Sequence, residues 1–380
     1  MNILIDIRLL SKGRVSGIEE YTKSLIDDLL HEGSKETFHF FYNGFHHAPF
    51  PAMWKAASNA RLIEWSVPNK LLDFTTRFLK WPRVEQIAHT DLVFSPHFNL
   101  LPATAHTKRV ITFHDLSFLH FPEFYPLRKR LWHWQQNYRV QATHADALIA
   151  VSEFTRQDII TSLRVSEKKV HTIYSGINSF FSELPEKSPE RARFVKEKNL
   201  HQPFLLFVGV LEPRKNISGI IRAFNEVKKI SYHRELQLII VGRKGWLCDT
   251  IFRDAAESPW SRDIRFWGEA SLEDLKLLYN LTSAFVYPSF FEGFGFPPLE
   301  AQACGAPVIT SNRSSLPEIV GEGALLVDPW KIEELITAID CVVRDTSFAN
   351  DLKKRGRVNA KRFSWQKTAK QILELFHSLT

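Results

Sequence analysis

The sequence predicts an α/β protein of two doubly wound, parallel-sheet domains, and three observations predict it. Strand-like runs rich in β-branched and aromatic residues alternate with helix-like runs along the chain, the pattern of βαβ units whose sheets are covered on both faces. The 380 residues exceed one ordinary core and suit two domains of about 150 to 200 residues each. A charged, proline-containing stretch without apolar periodicity, Glu183 to Asn199, then breaks the alternation, and a new strand opens at Pro203. That stretch reads as a linker with a short helix, between a first domain at residues 1–180 and a second at 200–363.

In the first half, strands are expected at Asn2 to Ile7, Phe38 to Tyr42, Leu92 to Phe94, Arg109 to Phe113, Ala147 to Val151 and Lys169 to Ile173, with helices between them. The opening Met-Asn-Ile-Leu-Ile-Asp carries a charge at Asp6 and lacks a small-residue cleavage site, so it reads as a strand rather than a signal peptide. No apolar run approaches the roughly 20 residues of a membrane span, and the expected location is cytoplasmic. The second half repeats the alternation at Phe204 to Val208, Leu236 to Val241, Arg265 to Trp267, Ala284 to Tyr287, Val308 to Ile309 and Ala324 to Val327. A last helix starts near Ser364, a suitable N-cap, with an apolar face at Ile372, Leu373, Leu375 and Phe376.

The 44% hydrophobic and 24% charged residues are those of a soluble globular protein. Cys248, Cys304 and Cys341 are odd in number and scattered, with neither disulfide nor zinc spacing, and read as small buried hydrophobes. The net charge of +7 is uneven, since residues 61–140 hold 11 Lys plus Arg against 6 Asp plus Glu. No recognition-helix, zinc or RNA-binding signature accompanies that charge, so nucleic acid is not the expected partner. The cations instead interleave with large apolar residues: Lys70, Arg77, Lys80 and Arg83 with Leu71, Leu72, Phe74, Phe78, Leu79 and Trp81, and Arg128, Lys129 and Arg130 with Leu131, Trp132 and Trp134. Such segments suit an anionic membrane surface, or else are amphipathic helices packed on their own domain with snorkelling cations.

Four segments carry chemistry. Glu292-Gly-Phe-Gly-Phe-Pro-Pro-Leu-Glu300 places two carboxylates eight positions apart across glycines, which permit close backbone approach to a ligand, and prolines, which stiffen a helix start. The loop should leave the strand ending at Tyr287, with helix resuming at Leu299 and Glu300 in its first turn, where the dipole favours an acid. Gly209-Val-Leu-Glu-Pro-Arg-Lys-Asn216 delivers Arg214 and Lys215 to a sheet end, a cation pair suited to a diphosphate, Arg by its fork and Lys as a point charge. His114 closes a strand and precedes Asp115, which either orients the imidazole or caps the next turn. Ser11-Lys-Gly-Arg-Val-Ser-Gly-Ile18 leads into a helix, but Gly13 and Gly17 do not make the dinucleotide fingerprint and no acid stands at the ribose position, which argues against a dehydrogenase.

With both glycines, both prolines and the following Cys-Gly-Ala-Pro-Val-Ile, the Glu-x7-Glu segment resembles the retaining nucleotide-sugar glycosyltransferases of family 4. The resemblance implies the GT-B fold, two Rossmann-like domains facing a central cleft, with the closing turn Tyr174 to Asn178 ending the first and the helix 364–380 returning to it. It implies a nucleoside-diphosphate sugar as donor, and a saccharide or lipid-linked acceptor. Glu292 would face the sugar, Glu300 the ribose, and the Phe294 and Gly295 amides with Arg214 and Lys215 the diphosphate. Gly17 would present its amide to the donor, and His114 would contact the transferred sugar near its reacting centre. Many relatives have a second Arg where this chain has Val210, which leaves Arg214 to supply that charge.

Softer matches are Ser152 to Thr155 on the acceptor side, and Gly242 to Trp246 with Gly268 to Ala270 at the nucleobase, whereas Ser271 and Asp274 form a capping pattern. No Asp-x-Asp dyad in a strand context appears, so neither a metal nor any other cofactor is expected. Among such enzymes the motifs are most similar to transferases of bacterial surface polysaccharide, often using GDP-mannose. The alternatives are a nucleotide-sugar epimerase, which has no need of the paired glutamates, a phosphorylase, for which no pyridoxal lysine is found, and a non-catalytic sugar-nucleotide-binding module.

Overall fold

Runs of buried apolar residues order two all-parallel sheets in the computed structural model, which describes residues 1–12, 17–45 and 50–380. The chain divides into two units, Met1–His120 with Leu127–Gly176 and Phe363–Thr380, and Phe121–Pro126 with Ile177–Arg362.

The first unit holds β1 (Asn2–Asp6), β2 (Thr37–Asn43), β3 (Ala60–Trp65), β4 (Leu92–Ser95), β5 (Lys108–Phe113), β6 (Ala147–Ala150) and β7 (Val170–Thr172), in the order β3-β2-β1-β4-β5-β6-β7. β1, β4 and β6 are buried almost throughout, as central parallel strands are. β3, at the sheet edge, is absent from the sequence reading because Arg61 and Glu64 interrupt it and face solvent, so the run lacks the apolar signature of its neighbours. The order reverses between β1 and β4, and the segments after β4 and β5 carry His97 and His114.

The C-terminal helix Trp365–Leu379 lies against the helix Gly17–Glu32. Ser364 caps it, accepting from the Lys367 amide at 3.2 Å, and Ile372, Leu373, Leu375 and Phe376 are buried as the periodicity predicts. Gly176 is required at this seam, since a Cβ there would stand 2.1 Å from the Trp365 nitrogen.

The second unit holds β8 (Phe204–Val208), β9 (Gln237–Val241), β10 (Ile264–Gly268), β11 (Ala284–Tyr287), β12 (Val308–Ser311) and β13 (Ala324–Val327), in the order β10-β9-β8-β11-β12-β13. Here the order reverses between β8 and β11, which pair through Ala284 with Leu205 and Phe285 with Leu206. Ligands of open α/β sheets bind outside the carboxyl ends of strands at such a point. Both charged motifs of this unit leave from there, one after β8 and one after β11.

The stretch read as a linker is instead packed into this unit. The Leu184 amide donates to Asn280 Oδ1 at 2.7 Å, and the helix Pro189–Lys198 buries Phe194 against Trp267. One buried aromatic in ten residues is too sparse a pattern to register as apolar periodicity. The segment Phe121–Pro126 also belongs to the second unit: Trp246 Nε1 donates to the Phe124 carbonyl at 2.6 Å, and Phe124 stacks on Phe290.

Candidate active site

After β8 the chain turns through Gly209 and enters a short 3₁₀ turn, Pro213–Lys215, before the helix Ile217–Val227. Asn216, with φ of 56°, joins the two in the left-handed conformation, and its side-chain amide donates to the Pro329 carbonyl at 2.9 Å. Arg214 and Lys215 therefore stand one turn ahead of the helix, aimed at the loop after β11.

There they meet Glu292. Lys215 Nζ donates to Glu292 Oε1 at 2.6 Å, Arg214 NH1 donates to Oε2 at 2.8 Å, and the Tyr287 hydroxyl donates to Oε1 at 3.0 Å. The other edge of the Arg214 fork is held by Glu212 Oε1, from Nε at 3.1 Å and NH2 at 2.8 Å. Two cations and two carboxylates so form one charge-balanced cluster, with Glu212, Lys215 and Glu292 buried. Burial pushes the Glu292 carboxyl up, but Arg214 and Lys215 together outweigh it and hold the group at about 2. Lys215 is lowered by burial and by Arg214 beside it, against the pull of Glu292 and Glu212. Tyr287 is raised well above its ordinary value by burial and by the Glu292 charge, so its proton stays on the hydroxyl.

The loop that carries Glu292 is clamped from the segment after β12. Ser314 Oγ accepts from the Glu292 amide at 2.9 Å, and Ser315 Oγ lies 2.9 Å from both the Glu292 and Phe294 carbonyls. Gly295 adopts a φ of 113° as the N-cap of the helix Phe296–Ala303, a conformation L side chains rarely take. The Phe294 side chain is buried against Phe296, so the backbone of the pair, not the ring, is what it offers a ligand.

Glu300 corrects the sequence expectation. The helix begins at Phe296, three residues earlier than read, because Pro297 and Pro298 are tolerated in a first turn whose N–H groups need no intrahelical partner. The first turn then holds no acid, and Glu300 falls in the second. Its carboxylate is positioned not by the dipole but by the Tyr279 hydroxyl, which donates to Oε2 at 2.9 Å.

His114 and Gly17 belong to the first unit. His114 follows β5 and donates from Nε2 to the Pro96 carbonyl at 2.7 Å, with the Tyr21 ring edge-on at 4.7 Å and His97 at 5.9 Å. Burial lowers its pKa to about 4, the Pro96 bond only partly offsetting this, so the ring is neutral near pH 7 with the proton on Nε2. Asp115 takes the capping role: its Oδ1 accepts from the Ser117 amide at 2.9 Å and hydroxyl at 2.6 Å. Gly17 is the first residue of its helix and is exposed, while Gly13 lies outside the described residues.

Ser152 is the N-cap of Glu153–Leu163, accepting from the Thr155 amide at 3.1 Å, and Thr155 is buried with its hydroxyl oxygen 2.9 Å from Ser152 Oγ. Ser271 caps as predicted, accepting from the Asp274 amide at 3.0 Å. The Gly242 amide donates to the Gly268 carbonyl at 2.7 Å, joining the two segments matched to the nucleobase side. Sequence reasoning missed Tyr287, Glu212, Tyr279, Ser314 and Ser315. The first and third read as ordinary core aromatics, and only the adjacency of Glu212 to Pro-Arg-Lys signals anything.

Two family models match the chain, "Glycosyl transferases group 1" over residues 188–359 and "Glycosyltransferase Family 4" over residues 15–179. The O-antigen chain mannosyltransferase B of Escherichia coli is 32% identical over 330 residues, covering 86% of this chain and 85% of that one. A serotype-specific mannosyltransferase WbdA of the same species is 31% identical over 72% of this chain, which spans only 34% of that longer protein. Among solved structures, sucrose-phosphate synthase from Thermosynechococcus elongatus superposes with a TM-score of 0.75 at 21% identity, covering 100% of this chain and 99% of that one. Anabaena Alr3699/HepE in complex with UDP and glucose gives 0.76 at 17% identity, covering 100% of both chains. With the paired parallel sheets, the reversal point between β8 and β11 and the clamped Glu292 loop, these matches place the chain in glycosyltransferase family 4, among the group 1 glycosyl transferases of GT-B fold.

Proposed function

We propose that this glycosyltransferase moves a sugar from a nucleoside-diphosphate donor to a saccharide hydroxyl with retention at the anomeric carbon, and that the sugar is mannose delivered from GDP-mannose for a bacterial surface polysaccharide. The observation that carries the reading is the cluster of Lys215, Arg214 and Glu292 at the reversal point of the second sheet. The mannosyl assignment rests on the name of the Escherichia coli relative, and the diphosphate donor is supported by the UDP complex of a fold neighbour.

As the bond between the anomeric carbon and the donor phosphate oxygen breaks, negative charge gathers on the leaving diphosphate. Lys215 and Arg214 are the groups that would meet it, in a buried site where a fixed cation acts more strongly than in water. They supply the charge that a metal ion would otherwise supply, and the reaction proceeds without one. Glu292, ionised, lies against the positive charge that develops on the sugar ring. The leaving phosphate takes the proton of the attacking hydroxyl, which bonds to the same face it vacates. A covalent intermediate on Glu292 is the less favoured route, since both carboxylate oxygens already accept from Lys215, Arg214 or Tyr287 and have little basicity left to give. Glu300 would hold the ribose hydroxyls, the Phe294 and Gly295 amides the phosphates, Gly17 the donor, and neutral His114 a sugar hydroxyl through its Nδ1 lone pair. The acceptor we assign is lipid-linked, met from the cytoplasmic side by a peripherally bound enzyme.

Incubation with a panel of nucleotide sugars, reading free diphosphate and the anomeric configuration of the product, tests this. Turnover of GDP-mannose with retention is the expected result. An inverted product, or donor consumption without transfer, refutes it.

A further inference from the structure

The two basic, aromatic segments that lie more than 40 residues apart in sequence meet in the first unit. Arg77, in the π-helical turn Thr75–Leu79, stands 5.4 Å from the ring centre of Trp134, on the helix Leu127–Gln135. Leu127, Leu131 and Trp134 are spaced at i, i+4 and i+7, on one face of that helix, and Leu71, Phe74 and Phe78 fall at i, i+3 and i+7 on the other segment. All six are between 51% and 67% exposed, where apolar side chains of this size would ordinarily be covered. Packing on their own domain therefore does not account for them. Residues 69–83 and 127–139 carry eight Lys and Arg, and Asp73 is their only acid.

We infer that this joined face docks on a bilayer surface bearing anionic headgroups, the apolar side chains entering the headgroup layer and the cations pairing with lipid phosphates. Charge decides against a second copy of the chain: a two-fold contact would set the cationic face against itself. Among the described residues no helix is long and apolar enough to cross a membrane, so the attachment is interfacial. The same helix points Trp132 the other way, stacked at 12° and 6.0 Å on His97, whose ring lies 5.9 Å from His114. One helix thus links the docking face to the residue assigned to the transferred sugar. This purpose rests on the glycosyl-transfer reading, although the binding itself does not.

The test is co-sedimentation of the whole protein with phosphatidylcholine vesicles, with and without phosphatidylglycerol, at low and high salt. Binding to the anionic vesicles alone, weakened by salt, is expected. Neutralising Arg77, Lys80, Arg128 and Arg130 to Gln should lower the partition coefficient by about fivefold per cation. Leu131→Glu with Trp134→Glu should abolish binding while transfer to a soluble acceptor persists, which shows the variant folded. Equal binding to neutral vesicles, protein left in the supernatant with both, or a wild-type dimer that these variants make monomeric would each overturn the inference. Vesicle binding without turnover of any nucleotide sugar would leave the docking face standing and sink the transferase mechanism.

Discussion

Replacing Lys215 with Ala tests the charge cluster most directly. The variant removes the 2.6 Å bond to Glu292 and the contact with the Tyr287 hydroxyl, and changes the local balance from two cations against two carboxylates to one against two. Removing one preorganised donor from a developing anion costs on the order of 2 to 4 kcal/mol, so kcat/KM should fall about 30- to 900-fold. Glu292 stays buried with Arg214 and Tyr287 as partners, so the fold should lose roughly 1 to 3 kcal/mol and not collapse.

The acid limb gives a second readout. Glu292 has a folded pKa of about 2 against an ordinary 4.5, so it contributes stability that is present above 4.5 and lost as the pH falls towards 2. Without Lys215 its folded pKa rises, and that loss should shrink. Diphosphate release measures the first effect, and thermal melting across this pH range the second. Lys215→Arg, which restores a cation, should recover part of the rate. A Lys215→Ala enzyme within about threefold of wild type in kcat/KM would refute the assignment, since a buried cation facing the leaving group is worth far more than that.

Glu300→Ala should weaken nucleoside diphosphate binding in calorimetry with kcat little changed, because a ribose contact is alike in ground and transition states; unchanged affinity would remove Glu300 from the donor site. Glu292→Gln keeps the shape and removes the charge, so it should depress kcat about 100-fold or more while donor affinity holds, and a wild-type kcat would count against its role at the sugar. His114 has a folded pKa of about 4 against 6.5, so its neutral form contributes stability present above 6.5 and lost as the pH falls to 4; His114→Gln should flatten the melting profile there, and an unaltered slope would contradict the buried neutral ring. EDTA should leave turnover unchanged, and loss of activity restored by a divalent cation would show that Arg214 and Lys215 do not supply the charge alone.

The sequence by itself determined what local pattern and burial both dictate. The central parallel strands are continuous apolar runs and were legible for that reason; of the thirteen strands among the described residues the edge strands β7, β10 and β13 were also read, and only β3, interrupted by Arg61 and Glu64, was not. The apolar face of the last helix, its Ser364 cap and the Ser271 cap are likewise local, since the partners lie three or four residues away. Tertiary structure decided everything that depends on which distant groups meet. Glu292 and Lys215 are 77 positions apart, and only the pairing of β8 with β11 brings their loops to one sheet end. Ser314 and Ser315, which clamp the Glu292 loop, carry no local signal, and neither does the Tyr279 hydroxyl on Glu300. The start of the helix after Gly295 was misplaced because Pro-Pro reads locally as a break, though a first helical turn accepts it. Glu183 to Asn199 looked like a linker because one buried aromatic, Phe194, anchors its helix to Trp267, a partner 73 positions away. The basic, aromatic segments were legible one at a time. That they form a single face follows from the packing that sets Arg77 over Trp134, a contact between residues 57 positions apart that no periodicity encodes.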